Sequence, residues 1–464
     1  MSELLLTHGY FLYEDPKEMQ ILKPYVPLGL LYICAHLRAK GFDVDVFDTT
    51  FSAMEDLKKY LLREHPSVLG IYANLMTRSK VVEILQTARN AGWKTIVGGP
   101  EPGAYIREYL EAGADVVVLG EGEATMEELL PALQGKSHTP LHRVSGIAFL
   151  DESGHLHLTG PRAQISDIDA LPWPAREAVD IERYVETWRG AHGKGSLSLI
   201  TARGCPYHCR WCSHQVFGKS HRRRKPVKVV DEVEWLLNTY NPDMMWFADD
   251  VFTIHHGWLR NYAAEMRSRG LHIPFECITR ADRLNAEAAD LLAELGCFRL
   301  WIGSESGSQR ILDAMERGVT VAQVHSAVSL CKARGIQTGM FLMWGYEGEQ
   351  LDDIEATIEH VKRTDPDVFF TTVAYPIKGT PYYERTANSL VQLKPWGQSS
   401  DRELHLRRRR SPDFYKCADR LLQNEVQLAR LQRAGTEERA QLGLRQQVRT
   451  LREYLHANSS EVMA

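Results

Sequence analysis

The sequence predicts an α/β protein in three parts. A Rossmann-like or flavodoxin-like parallel domain is expected over residues 1–140, and an open (β/α)6 partial TIM barrel over 191–380. A small helical C-terminal region follows over 381–464, and a β-hairpin with a linker fills 141–190. Two observations carry this prediction. Short β-branched or apolar runs alternate with helical patterns in two separate stretches, and such alternation builds parallel sheets covered by helices. Between the stretches, and again after Tyr375, prolines and glycines interrupt the pattern.

In the first stretch the strand candidates are 4–7, 44–47, 68–72, 95–97 and 116–119. The helix candidates between and after them are 28–39, 54–64, 80–91, 104–111 and 124–133. Gly41, Gly92 and Gly113 stand where helix C-caps belong. Ligands of such sheets bind beyond the carboxyl ends of the strands, at the topological switch point. Those ends carry Asn74 to Arg78, Gly98-Gly99-Pro100-Glu101 and Gly120-Glu121-Gly122-Glu123. Glycines there let a large planar ligand approach the backbone. Residues 144–158 then read as a hairpin around Asp-Glu-Ser-Gly. Pro172 and Pro174 bracket Trp173 in an extended connector.

The second stretch has strand candidates at 197–201, 244–250, 275–280, 298–305, 339–344 and 368–374, separated by helical patterns such as 229–239, 286–294, 321–333 and 351–363. Six βα repeats are fewer than the eight of a closed barrel. Polar residues at the C-terminal ends of barrel strands read as catalytic or binding. Here they are Asp249 and Asp250, Arg280, Ser304-Glu305-Ser306-Gly307, and Tyr346 to Glu349. The tail forms two amphipathic helical stretches, 413–433 and 437–456, split by Ala434-Gly435-Thr436.

The most informative segment follows the first barrel strand. Cys205, Cys209 and Cys212 are spaced C-x3-C-x2-C in Thr-Ala-Arg-Gly-Cys-Pro-Tyr-His-Cys-Arg-Trp-Cys. A [4Fe–4S] cluster normally takes four thiolates, so three leave one iron open for a ligand that is not protein. Zinc sites usually close with four ligands in paired short spacings, and no second C-x2-C lies nearby.

This loop resembles the cluster-binding loop of radical S-adenosylmethionine (radical SAM) enzymes, whose open iron is chelated by SAM. Residues 303–309 are similar to that family's SAM-contacting strand end. The resemblance implies that Glu305 or Ser304 holds the methionine ammonium, that Arg280 meets the methionine carboxylate, and that Trp211 packs near adenine. A zwitterion needs one acceptor and one forked donor, which agrees. Residues 27–38, 97–100 and 119–124 resemble the cobalamin-binding domain that precedes many radical SAM cores. That resemblance implies cobalamin contacts from Leu28, Gly29, Asn74, Gly99, Pro100, Gly120, Glu121, Gly122 and Glu123. The D-x-H-x-x-G pattern that supplies a cobalt-binding His elsewhere is missing from the first loop, where His8 follows the strand too closely. Cobalamin with no protein His on cobalt is therefore expected.

The family resemblance, covering about residues 27–380, implies a [4Fe–4S] cluster, SAM and cobalamin as cofactors. It also implies methyl transfer to an unactivated carbon of a small molecule, fed by an external electron donor such as flavodoxin or ferredoxin. Rearrangement or cyclisation without methyl transfer is the alternative, and a cobalamin or redox sensor a weaker one. The net charge of −5 gives no global drive toward nucleic acid. The basic runs Arg222–Lys225 and Arg407–Arg410 read as solvated faces. No apolar run is long enough to span a bilayer. Eight cysteines, three of them assigned to the loop, leave the other five as buried free thiols in a reducing, cytoplasmic setting.

Overall fold

The computed structural model describes residues 2–435, 438–460 and 462. The chain divides into two compact units: Met1–Pro206 with Ser213–Trp246 and Lys394–Glu403, and Tyr207–Cys212 with Phe247–Leu393 and Leu404–Ala464.

In the first unit, the runs rich in Val, Ile and Leu form parallel strands Leu4–His8, Val44–Phe47, Val68–Tyr72, Lys94–Gly98 and Val116–Val118. Their spatial order is second, first, third, fourth, fifth. This is the flavodoxin order, with its switch point between the first and third strands. The hairpin Ile147–Leu150 and Leu156–Leu158 extends the far edge antiparallel. Leu5, Leu69, Ile71, Val97 and Val117 pack against Leu57, Ile84, Leu85 and Tyr109 of the covering helices in one buried core.

In the first stretch, two helices begin two residues away from where the periodicity places them. The helix expected at 80 begins as Arg78–Asn90, because Asn74 Oδ1 accepts the N–H groups of Met76 and Thr77 and folds a tight turn before it. The helix expected at 104 begins as Ile106–Glu111, since Pro102–Ala104 takes a 3-10 turn instead.

A second sheet contains Ser196–Leu199, Met244–Phe247, Phe275–Thr279, Cys297–Glu305, Gln337–Trp344 and Val368–Val373 in sequential order. The last four strands pair in parallel. Within the second unit, helix Pro412–Arg433 lays Phe414, Ala418, Leu421 and Leu422 against Ile354, Ile358 and Val361 of helix Leu351–Thr364. Helix Glu438–Ala457 completes that cluster through Val448 and Leu455. Thr436 and Glu437, where the break and the second helix start were expected, lie outside the described residues.

The basic runs are solvated only in part, at Lys225, Arg407 and Arg408. Arg224 and Arg176 both donate at 2.5 Å to the fully buried Glu232, and Arg222 pairs with Glu121 at 2.6 Å. Arg410 is buried and donates to the Glu349 and Ser459 carbonyls. Burying a charge is tolerated only with such partners. The five cysteines outside the loop are buried free thiols, as the sequence predicts. Among the described residues no helix is long and apolar enough to cross a membrane.

Candidate active site

In the second unit the site is built around Cys209. Arg317 Nη1 and Arg280 Nη1 lie 3.6 and 3.7 Å from its Sγ. A hydrogen bond from Cys212 holds the Cys209 thiol well below its ordinary range, and the two guanidinium charges pull the same way. The same hydrogen bond pushes the Cys212 thiol, which is exposed, up. One thiolate is thus stabilised before any cofactor arrives.

Arg280 is fixed on several sides. Its Nε donates to Asp282 at 2.9 Å, its Nη2 to the Arg317 carbonyl at 2.8 Å, and its plane stacks 3.6 Å from the Tyr207 ring centroid. Arg317 Nη2 holds the Gly303 carbonyl at 3.0 Å, and its Nε stands 3.8 Å from Glu305 Oε1. That Nε is buried without a hydrogen-bond partner. Arg317, not Arg280, is therefore the ion partner of Glu305. Burial pushes the Glu305 carboxyl up to about 7, against the pull of Arg317. Glu305 has φ of 62°, in the left-handed region that costs a side-chain-bearing residue. The strand register slips between Gly303 and Glu305, which re-aims the chain at this level.

The serines of this strand end face the other way. Ser304 Oγ shares a 2.9 Å hydrogen bond with His360 Nε2, and Ser306 Oγ meets Thr357 Oγ1 at 3.1 Å. Ser308 Oγ donates to Asp353 at 2.6 Å. Positions 353, 357 and 360 form one face of helix Leu351–Thr364, so alternate residues stitch the strand to the helix and leave Glu305 toward the thiol. Trp211 packs among Ile311, Met315, Tyr346 and Tyr382, with Arg317 5.9 Å from its ring centroid. Asp249 is buried and Asp250 exposed.

In the first unit Cys205 is half-buried. Just before it, Gly204 has φ of 84°, and a Cβ there would stand 2.3 Å from the Ser220 carbonyl oxygen, so only glycine fits. Strands Ala202–Arg203 and Arg222–Arg223 pair antiparallel and fix the root of the loop. Arg203 spans Glu121 at 2.8 Å and Glu123 at 2.6 Å, all three buried. Glu121 also receives Arg222 and the Ile165 N–H. The carboxylates of the Gly-Glu-Gly-Glu loop thus bind the segment that leads into the cysteines.

The other sheet-edge residues are in place. Leu28 is buried and Gly29 lies beside Tyr72. Asn74 makes the turn described above, while Pro100, Gly120 and Gly122 are half-buried in the loops after the fourth and fifth strands. Gly99 has φ of 116° and passes so close to Ala73 that a Cβ would come within 2.4 Å of its oxygen. His8 lies inside the first strand with both ring nitrogens engaged, Nε2 with Asp48 at 2.9 Å and Nδ1 with Thr49 at 3.0 Å.

Among the described residues, no three His, Cys, Asp or Glu side chains converge as a site for a single metal ion. A cluster carries each thiolate on a different iron, so its ligands stand farther apart. The donor set fits such a group: thiols on one loop, two guanidiniums aimed at one sulfur, and a buried Arg317 N–H left over. Sequence reasoning missed Arg203 and Arg317, whose partners are distant in the chain.

Comparisons with known proteins identify the family. The Radical SAM superfamily model matches residues 199–361, and the B12 binding domain model matches residues 20–130. An uncharacterised methyltransferase of Pyrococcus horikoshii is 31% identical over 385 residues, 80% of each chain. An anaerobic magnesium-protoporphyrin IX monomethyl ester cyclase of Rubrivivax gelatinosus is 27% identical over 361 residues, 75% of this chain and 64% of its own. The radical SAM methyltransferase TsrM of Kitasatospora setae, solved with cobalamin and a [4Fe–4S] cluster, shares the fold with a TM-score of 0.68 at 22% identity, over 84% of this chain and 75% of that one. The chain therefore belongs to the radical SAM superfamily, in the branch that joins a B12-binding domain to the radical SAM core, and is an enzyme that works with a [4Fe–4S] cluster, SAM and cobalamin.

Proposed function

We propose that this enzyme moves a SAM-derived methyl group, by way of cobalamin, to an unactivated carbon of a small molecule or natural product. The observation that carries the reading is the match over 80% of both chains to a protein named a methyltransferase. The likeness to the cyclase of Rubrivivax gelatinosus favours a second reading, ring formation without net methyl transfer.

When bound, the cluster and SAM supply a carbon-centred radical, and cobalamin supplies the methyl group. In this reading Cys205, Cys209 and Cys212 are the cluster ligands. Arg280 and Arg317 place positive charge and N–H donors at Cys209 and so favour an anionic cluster. The Glu305 carboxyl accepts the methionine ammonium, and an incoming cation draws it toward its ionised form. Arg280 meets the methionine carboxylate, and Trp211 packs near adenine. The Ser304 hydroxyl, held by His360, fixes the strand end on which Glu305 sits. Leu28, Gly29, Asn74, Gly99, Pro100, Gly120 and Gly122 border cobalamin, and Glu121 and Glu123 hold that edge through Arg203. The protein's share of catalysis is alignment of the reacting groups and exclusion of water. An external electron donor such as flavodoxin or ferredoxin and a cytoplasmic setting complete the proposal.

The reading is tested without a substrate. Anaerobic, reduced holoenzyme given SAM should form about one S-adenosylhomocysteine per bound cobalamin. Formation of none, with cobalamin bound, would overturn methyl transfer.

A further inference from the structure

We propose that Lys394–Glu403 is a strap that keeps the cobalamin edge of the first sheet in shape, with Asp401 as its positioning residue. This rests on the cofactor reading above and adds to it a segment far from the first sheet in sequence.

Two loops at the carboxyl ends of the strands form that edge, residues 73–77 after the third strand and 99–105 after the fourth. They carry Asn74, Gly99 and Pro100. The loops meet backbone to backbone: the Ala73 N–H donates to the Gly98 carbonyl at 2.8 Å, and Gly99 leaves no room for a Cβ beside Ala73. Arg78 ends the first loop, and Glu101 lies in the second. Arg78 Nε donates to Glu101 Oε1 at 2.7 Å, and the Tyr109 hydroxyl donates to the other carboxylate oxygen at 2.5 Å.

The strap completes this clamp. Arg78 Nη2 donates to Asp401 Oδ1 at 2.6 Å, and its Nη1 donates to the Ser399 carbonyl at 2.9 Å. The Tyr105 hydroxyl donates to the same Asp401 oxygen at 2.5 Å. Asp401, 1% exposed, thus takes one donor from the end of each loop. Trp396 seats the strap edge-on to Tyr109, with ring centroids 4.8 Å apart, and lies 5.3 Å from the Arg78 guanidinium carbon. At the outer end, Arg402 Nη1 reaches the Met76 sulfur at 3.2 Å. A segment serving stability alone would need only Trp396 against the helices. Here a buried carboxylate bridges two loops on the ligand side of the sheet, where a large planar group binds best to preset backbone. Without that charge Arg78 keeps Glu101 but loses its tie to Tyr105 and the strap. The loops then part more easily, and the effect falls on the rate at which cobalamin leaves.

The test loads the full-length protein with hydroxocobalamin and follows its release by visible absorbance after gel filtration. Asp401→Asn should release cobalamin about tenfold faster or more. Tyr105→Phe keeps the ring over Arg78 but removes one donor, and should release it about threefold faster. Leu61→Ala controls for lost stability alone. Leu61 is a core residue at the opposite edge of the sheet, where its carbonyl accepts the indole N–H of Trp93, just before the fourth strand, at 2.9 Å. That variant should melt lower than the native protein yet release cobalamin at the native rate. Native release rates in Asp401→Asn and Tyr105→Phe alike would overturn the proposal. So would release from Leu61→Ala as fast as from Asp401→Asn, since general destabilisation would then explain both. Retention is read without SAM or substrate, so this outcome is independent of the S-adenosylhomocysteine assay.

Discussion

At the scale of single residues, the site turns on three thiols and the cations beside them. The cysteine spacing was fully legible in the sequence, because loop ligands to one cluster are close along the chain. Arg317 was not. It follows the short helix Gln309–Ala314 without any motif, and only the fold brings it to Cys209 and Glu305. The fixed donors of Arg280 were likewise invisible, although the residue itself stood out at a strand end. With Cys205, Cys209 and Cys212 replaced together by Ala, the reconstituted protein should fall from about four iron atoms per chain to none. Iron analysis and visible absorbance check this, and a surviving cluster would remove the assignment of the loop.

At the scale of elements, strand Cys297–Glu305 and helix Leu351–Thr364 act as one piece. Both were expected from sequence pattern, but the stitching between them was not, since Ser304 and Ser306 read as a ligand-binding strand end and only the fold pairs them with Thr357 and His360. His360 is the buried centre of this seam, bonded to Ser304 and, through Nδ1, to His325 at 2.9 Å. Burial holds its imidazole down to about 3. The unfolded chain therefore takes up a proton below about pH 6.5 that the folded chain refuses until about pH 3. Stability contributed by neutral His360 is present above that upper limit and falls as pH drops, by up to roughly 1.4 kcal/mol per pH unit. Chemical denaturation between pH 7 and 4.5 should show a shallower loss in His360→Asn than in the native protein. Parallel curves for the two would contradict the buried neutral state.

At the scale of the whole molecule, the order of parts was readable: a parallel domain, a hairpin, then a six-stranded sheet. Hydrophobic alternation encodes each of these locally. The path of the chain after the last barrel strand was not readable. Lys394–Glu403, grouped by sequence with the C-terminal helices, belongs to the first unit. There Asp401 and Glu101 share Arg78 in a buried triad, and Trp396 packs edge-on to Tyr109. Such pairing joins residues some 300 positions apart, which no local pattern reveals. Arg78→Met should leave two buried carboxylates without their cation and cost about 3–5 kcal/mol. Urea unfolding followed through the first unit checks this, and a cost below about 1 kcal/mol would mean that the triad is not a stabilising element.

Methyl transfer is the reaction proposed for this pairing of cofactor domains. It is tested by turnover with methyl-deuterated SAM against candidate small molecules, with products read by mass spectrometry. Methyl transfer predicts a product that carries the labelled methyl on carbon, together with 5′-deoxyadenosine and S-adenosylhomocysteine. A new product that carries no label, formed with 5′-deoxyadenosine alone, would contradict it and favour cyclisation or rearrangement.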